Sequence, residues 1–222
     1  MPIESSLLSN HLLVALPSLH DPHFARSVAL VCQHDGDGAM GVVVNRASEY
    51  TLGEVLHEVR AAGRATGLDV RTTLAIGESQ SGYALTTYAN GVQPLTQEFD
   101  GILIHSRGGA SLPLGEPGAG LDMIGSVMGT PTIVRTDLDV PVIVVETESD
   151  VLGVLNYYPA RQPDSERIRV WEIAGTAHAD RYQVRAAEPA LGCSEPINDG
   201  QQVFVMRAAL RELAAWAATG TT

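Results

Sequence analysis

The sequence predicts an α/β fold: a mostly parallel sheet with flanking helices, preceded by a β-rich N-terminal segment. Three observations lead there. From Val70 onward, short apolar and β-branched runs alternate with helical stretches, the order that a parallel sheet requires. Before residue 60, three apolar runs follow one another with only turn residues between the last two. Hydrophobic residues make up 45% of the 222 residues, enough to bury a core and to exclude wholesale disorder.

In chain order, His11 to Leu16 is the first strand, stopped by Pro17. Ser27 to Gln33 and Ala39 to Asn45 are the second and third. His34-Asp35-Gly36-Asp37-Gly38 between them is a hairpin turn. A calcium loop is the weaker reading, because Ala39 stands where the third ligand belongs. His20 and His23 flank Pro22 with no further cluster, and read as loop residues rather than metal ligands. Thr51 to Arg60 has apolar residues at 52, 55, 56 and 59, a helical spacing. The small, glycine-containing stretch after it reads as a linker, which divides the chain into segments 1–60 and 61–222.

The second segment opens with a strand over Thr72 to Ile76, a polar turn Gly77 to Gly82, and a helix through Tyr83 to Tyr88. Strands follow at Gly101 to His105, Pro141 to Val145 and Ile168 to Ile173, with a short helix at Asp122 to Met128. Val203 to Ala217 is a long amphipathic helix, with Val203, Met206, Leu210, Leu213 and Ala214 on one face.

Charge narrows the function. Net charge is −12, and all 14 basic residues are Arg. A nucleic-acid backbone or an anionic membrane surface is not an expected partner, because no basic patch is available. Lysine chemistry is excluded. Cys32 and Cys193 make no C-x-x-C pair and predict neither a disulfide framework nor zinc. No cofactor or metal is expected. The N-terminus has no basic stretch before its apolar run, so neither a signal peptide nor a membrane span is expected, and the expected location is cytoplasmic.

The chemistry starts at Gly77-Glu78-Ser79-Gln80-Ser81. A serine on a sharp turn between strand and helix, with small residues two before and two after, is a nucleophile elbow. The helix N-terminus then lies under the serine, and the Gln80 N–H is one oxyanion donor. Short Gly/Ser turns are common, so the later strand ends must contribute. Reactive groups gather at the C-terminal ends of strands in such sheets. Glu148 and Asp150 follow one strand end and His178 another, giving the order serine, acid, histidine. Asp150 is the first choice of acid and Glu148 the alternative, with capping of a following helix as the plainer role for Asp150. Arg107, in Ser106-Arg107-Gly108-Gly109, is a candidate for binding a substrate carboxylate or for tying its loop to Asp100 or Glu98.

Two resemblances follow. The stretches AIGESQSGYALTTYANGVQPL, FDGILIHSRGG, RTDLDVPVIVVETESDV, RQPDSERIRVWEIAGTAHAD and the segment from Cys193 to Trp216 resemble the later part of a bacterial α/β-hydrolase-domain family. That resemblance implies an eight-stranded sheet and serine esterase-like activity on a small-molecule ester. It carries Ser79 over as nucleophile, His178 as base and Asp150 as acid. HLLVALPSLHDPHFARSVALVCQHDGDGAMGVVVNRASEYTLGEVL resembles the N-terminal part of the AlgH (UPF0301) family, which implies an α/β fold without established enzymatic activity, sometimes described as a regulator. The chain thus reads as two partial families joined near residues 57–66. The first hydrolase strands, and the loop that supplies the second oxyanion N–H, are missing from it. The three N-terminal strands are expected to cover the uncovered sheet edge, or else that edge supports self-association.

Overall fold

The computed structural model describes residues 71–114, 123–153, 155–184 and 192–220, together with the backbone of three strands at 11–14, 28–35 and 38–43. Two compact units divide between Thr51 and Leu52.

In the first unit, β1 (His11–Val14), β2 (Val28–Asp35) and β3 (Gly38–Val43) form an antiparallel sheet in the order β1-β2-β3. Asp35 pairs with Gly38 at the end of the ladder, and residues 36 and 37 of the expected hairpin turn lie outside the described residues. His20, His23 and the helix expected over Thr51 to Arg60 also lie outside them.

The second unit holds a parallel sheet in the order β4-β5-β6-β7. Its strands are β4 (Leu74–Glu78), β5 (Gly101–His105), β6 (Val142–Thr147) and β7 (Ile168–Ile173). Its helices are α1 (Gln80–Gly91), α2 (Gln93–Thr96), α3 (Met123–Val127), α4 (Glu148–Leu152), α5 (Arg181–Val184) and α6 (Gln201–Thr219). The two central strands are buried throughout. Successive side chains therefore feed opposite cores. Ile102, Ile104, Val142 and Val144 pack with Val134, Leu138 and Tyr157 on one face. Leu103, Ile143 and Val145 pack with Ala209, Leu213 and Trp216 of α6 on the other.

The N-terminal strands hydrogen-bond among themselves in an antiparallel sheet of their own. Among the described residues the parallel sheet has four strands, as expected of a hydrolase sheet that lacks its first strands, and β4 pairs only with β5. Its burial drops accordingly, with Ile76 55% exposed. Two expectations, the bounds of the first parallel strand and the buried face of the last helix, need correction. The strand expected at Thr72 to Ile76 lies two residues further on, because pairing with β5 continues through Gly77 and Glu78. Finally, α6 buries Gln202, Ala209, Leu213 and Trp216. Val203 and Leu210, expected on that face, lie one residue and so about 100° away from it, and are exposed.

Candidate active site

β4 runs straight into α1, and Ser79 is the single residue between them. Its φ of 53° and ψ of −120° lie where side chains are strained. The turn is held by its neighbours. Ser79 N–H donates to the His105 carbonyl at 3.0 Å, and Tyr83 N–H closes onto the Ser79 carbonyl at 3.1 Å. A Cβ on Gly77 would lie 2.5 Å from the Ser81 carbonyl oxygen, so the turn admits only glycine there. Gly82 is also needed: a Cβ would stand 3.0 Å from the His105 oxygen and 3.2 Å from the Arg107 Cβ. Reading the elbow from its two-before, two-after rule misses this residue.

Gln80 begins α1, and helix geometry leaves its N–H without an intrahelical acceptor. That N–H lies next to Ser79 in the chain, at the positive end of a 12-residue helix.

The histidine and the acid arrive from the next strand ends. His178 Nε2 lies 2.9 Å from Ser79 Oγ. Its Nδ1 lies 2.7 Å from Asp150 Oδ1. An ionised carboxylate only accepts, so Nδ1 carries the proton and Nε2 accepts from the serine hydroxyl. The His178 N–H donates to Ser149 Oγ at 2.7 Å, which fixes the loop beneath the ring.

Asp150 is buried at the third position of α4. Thr147 caps that helix, and its N–H and hydroxyl both donate to Asp150 Oδ2, at 2.9 and 2.7 Å. The carboxylate thus has one oxygen for the helix cap and one for His178. Of the two candidate acids, Asp150 is the one in contact with His178. Glu148 is exposed, and its Oε2 accepts from the Gly175 N–H at 2.7 Å, away from the imidazole. Asp150 is not the cap itself; Thr147 is, and the T-x-x-D run Thr147 to Asp150 was the sequence signal for it.

Electrostatics follow. Burial pushes the Asp150 carboxyl up, but hydrogen bonds from His178, Thr147 and Ser106 together hold it below its ordinary value. The hydrogen bond to Asp150 holds the His178 imidazole above its ordinary value, against burial, with Glu78 adding to the rise.

Arg107 does not join this group. It is fully buried, its Nη1 donates to the Gly108 and Ala110 carbonyls at 3.2 Å each, and its guanidinium lies over the Tyr157 ring at 5.0 Å. Burial pulls its pKa down. It holds its own loop from inside, and the contacts described for it are with Gly108, Ala110 and Tyr157 rather than Asp100 or Glu98. A cavity of about 380 Å³ between Glu148, Leu152, Tyr158, Arg161 and Ala174 adjoins α4, not Ser79. No helix among the described residues is long and apolar enough to cross a membrane.

Comparison with known proteins finds two relationships. Stretches of the chain are 56% identical over 77 residues to a UPF0301 protein of Xylella fastidiosa strain M23, covering 35% of this chain and 41% of that protein. They are 68% identical over 59 residues to one of Stenotrophomonas maltophilia strain K279a, covering 27% and 31% respectively. A UPF0301 protein of Xanthomonas campestris pv. campestris strain B100 matches at 64% over 59 residues, again 27% and 31%. The chain therefore spans less than half the length of these curated relatives. A family model described as an alpha/beta hydrolase domain matches residues 51–222. That match covers well over half of the chain and includes β4 to β7 with every residue of the Ser79 site, so the chain belongs to the alpha/beta hydrolase domain family.

Proposed function

We propose that the protein is a serine hydrolase of esters, with Ser79 as nucleophile, His178 as general base and Asp150 as its orienting carboxylate. One observation carries this reading. Three side chains separated by 99 and 28 residues in sequence form one hydrogen-bonded line of 2.9 and 2.7 Å, ending on a serine with φ 53°. Such strain concentrates at functional sites.

The chemistry follows from the geometry. A serine hydroxyl is a weak nucleophile at neutral pH. As Ser79 Oγ attacks the ester carbonyl, its proton passes to His178 Nε2, and Asp150 stabilises the imidazolium. The Gln80 N–H donates to the oxyanion. His178 returns the proton to the leaving alcohol as the C–O bond breaks, leaving an acyl-Ser79. Water, deprotonated by the same imidazole, then releases the acid. If the one donor found among the described residues acts alone, the rate is lower by about 10²–10³ than with two.

The test is hydrolysis of small p-nitrophenyl esters by the wild-type chain and by Ser79→Ala. Turnover that disappears in the variant, with folding intact, supports the reading; equal turnover ends it.

A second reading, a non-catalytic AlgH-like regulatory or interaction protein, is favoured by the UPF0301 matches and by the single pairing of β4 among the described residues. It predicts no turnover by a cooperatively folded chain, and it places self-association at the β4 edge.

A further inference from the structure

The loop carrying His178 is tied to the elbow by a second connection besides the triad. Asp180, buried, precedes α5, and Gln183 is the third residue of that helix. Their groups satisfy each other: Gln183 N–H donates to Asp180 Oδ1, and Asp180 N–H donates to Gln183 Oε1, both at 2.9 Å. This reciprocal pattern fixes the Gln183 amide, because its oxygen must face the Asp180 N–H. Its NH2 group is left pointing outward, and Nε2 donates to Glu78 Oε1 at 2.9 Å. Glu78 is the residue immediately before Ser79, so this bond bridges 105 residues of sequence from the histidine loop to the elbow. On its other side the same loop is held by Asn198 Nδ2 on the Gly175 carbonyl and by Gln201 Nε2 on the Ala174 carbonyl at 2.9 Å.

We infer that Gln183 is a positioning residue for the reaction, a strut that sets the separation of Ser79 and His178 by holding Glu78 to the histidine loop. The inference rests on the reading of Ser79 as nucleophile. Both side chains are exposed, so the bond adds little to stability by itself. Its effect is geometric, since small displacements of reacting groups carry large rate penalties. The amide is specific to the role. Glutamate at 183 would complete the same helix cap but would set a carboxylate against the carboxylate of Glu78.

The experiment is a double-mutant cycle on the full chain: wild type, Gln183→Glu, Glu78→Gln, and the exchanged pair Glu78→Gln/Gln183→Glu. The readouts are the rate of Ser79 labelling by a fluorophosphonate and Tm. Gln183→Glu is expected to slow labelling about tenfold, a fraction of the ~10² attached to a 1 Å misplacement. Glu78→Gln keeps an acceptor for Gln183 and is expected to stay within about twofold. The exchanged pair restores the bond with roles reversed and is expected within about threefold of wild type. Rates equal in all four forms, or an exchanged pair as slow as Gln183→Glu, would overturn the strut. If wild type itself is not labelled, the Ser79 reading fails and the strut is read from Tm. A Tm loss in Gln183→Glu that the exchange recovers supports it; strictly additive Tm changes overturn it.

Discussion

Asp150→Asn separates orientation of His178 from every other role of the carboxylate. Asn keeps the size and shape, so the buried position is filled. Its two faces no longer match both neighbours. The Thr147 N–H, 2.9 Å from Oδ2, is a fixed donor and needs an oxygen. Turning the Asn oxygen toward it leaves the NH2 against His178 Nδ1, where Oδ1 accepts at 2.7 Å in the native chain. Turning it the other way buries the Thr147 N–H against an NH2, at a cost of about 1–3 kcal/mol. The first arrangement is favoured, and it forces the imidazole proton onto Nε2. His178 then donates toward Ser79 and cannot take its proton. The expected loss in kcat is about 10⁴, or about 5.5 kcal/mol of transition-state stabilisation. Ester hydrolysis measured at saturating substrate, with circular dichroism to verify folding, reads it. A loss of less than about tenfold would refute the role given to Asp150, and with it the assignment of tautomer.

Further outcomes follow from the same geometry. His178 is held above its ordinary value of 6.5, chiefly by the Asp150 hydrogen bond, and it acts as a base only when unprotonated, so kcat/KM should fall with acid around a midpoint above 6.5; a midpoint below 6.5 contradicts the pairing. By linkage, the same raised imidazole favours the folded state below 6.5, and this contribution is lost as pH rises through the folded-state value. Ser79→Gly and Ser79→Ala both lack the hydroxyl, but only glycine tolerates φ 53°; the Gly variant should be more stable by about 1 kcal/mol, or about 2–4 °C in Tm, despite its freer unfolded chain. Arg107→Leu should cost about 2 kcal/mol or more in urea unfolding by stranding the Gly108 and Ala110 carbonyls, yet leave the ratio of rates on neutral and anionic esters unchanged, because the guanidinium is buried.

Much of the second unit was legible in its sequence, and the reasons are local. GILIH is a strand over the expected residues because an unbroken apolar run between turn residues has few other uses in a sheet covered on both faces, and IRVWEI because its β-branched and aromatic residues suit a partly exposed strand. The tight turn from β4 into α1 was legible because its glycine and serine answer to steric rules within five residues. What sequence left open depended on contacts across the chain. Glu148 and Asp150 both follow β6 closely, and only the Thr147 cap and the approach of His178 separate them. Arg107 read as a residue for a substrate carboxylate or for tying its loop to Asp100 or Glu98; its burial over Tyr157 depends on a residue 50 positions away. The buried face of α6 was displaced by Gln202, a polar residue that faces inward because its amide meets His105 at 3.1 Å. The bridge from Gln183 to Glu78 has no local signature.

The central claim is that Ser79 is activated by His178 within the native fold. The most direct measurement is fluorophosphonate labelling of the purified, monodisperse chain, with the modified peptide located by mass spectrometry, and with Ser79→Ala and heat-denatured protein as controls. The expected result is one label on the peptide carrying Ser79, absent from both controls. A cooperatively folded chain that takes no label, or takes it equally after Ser79→Ala, would contradict the claim.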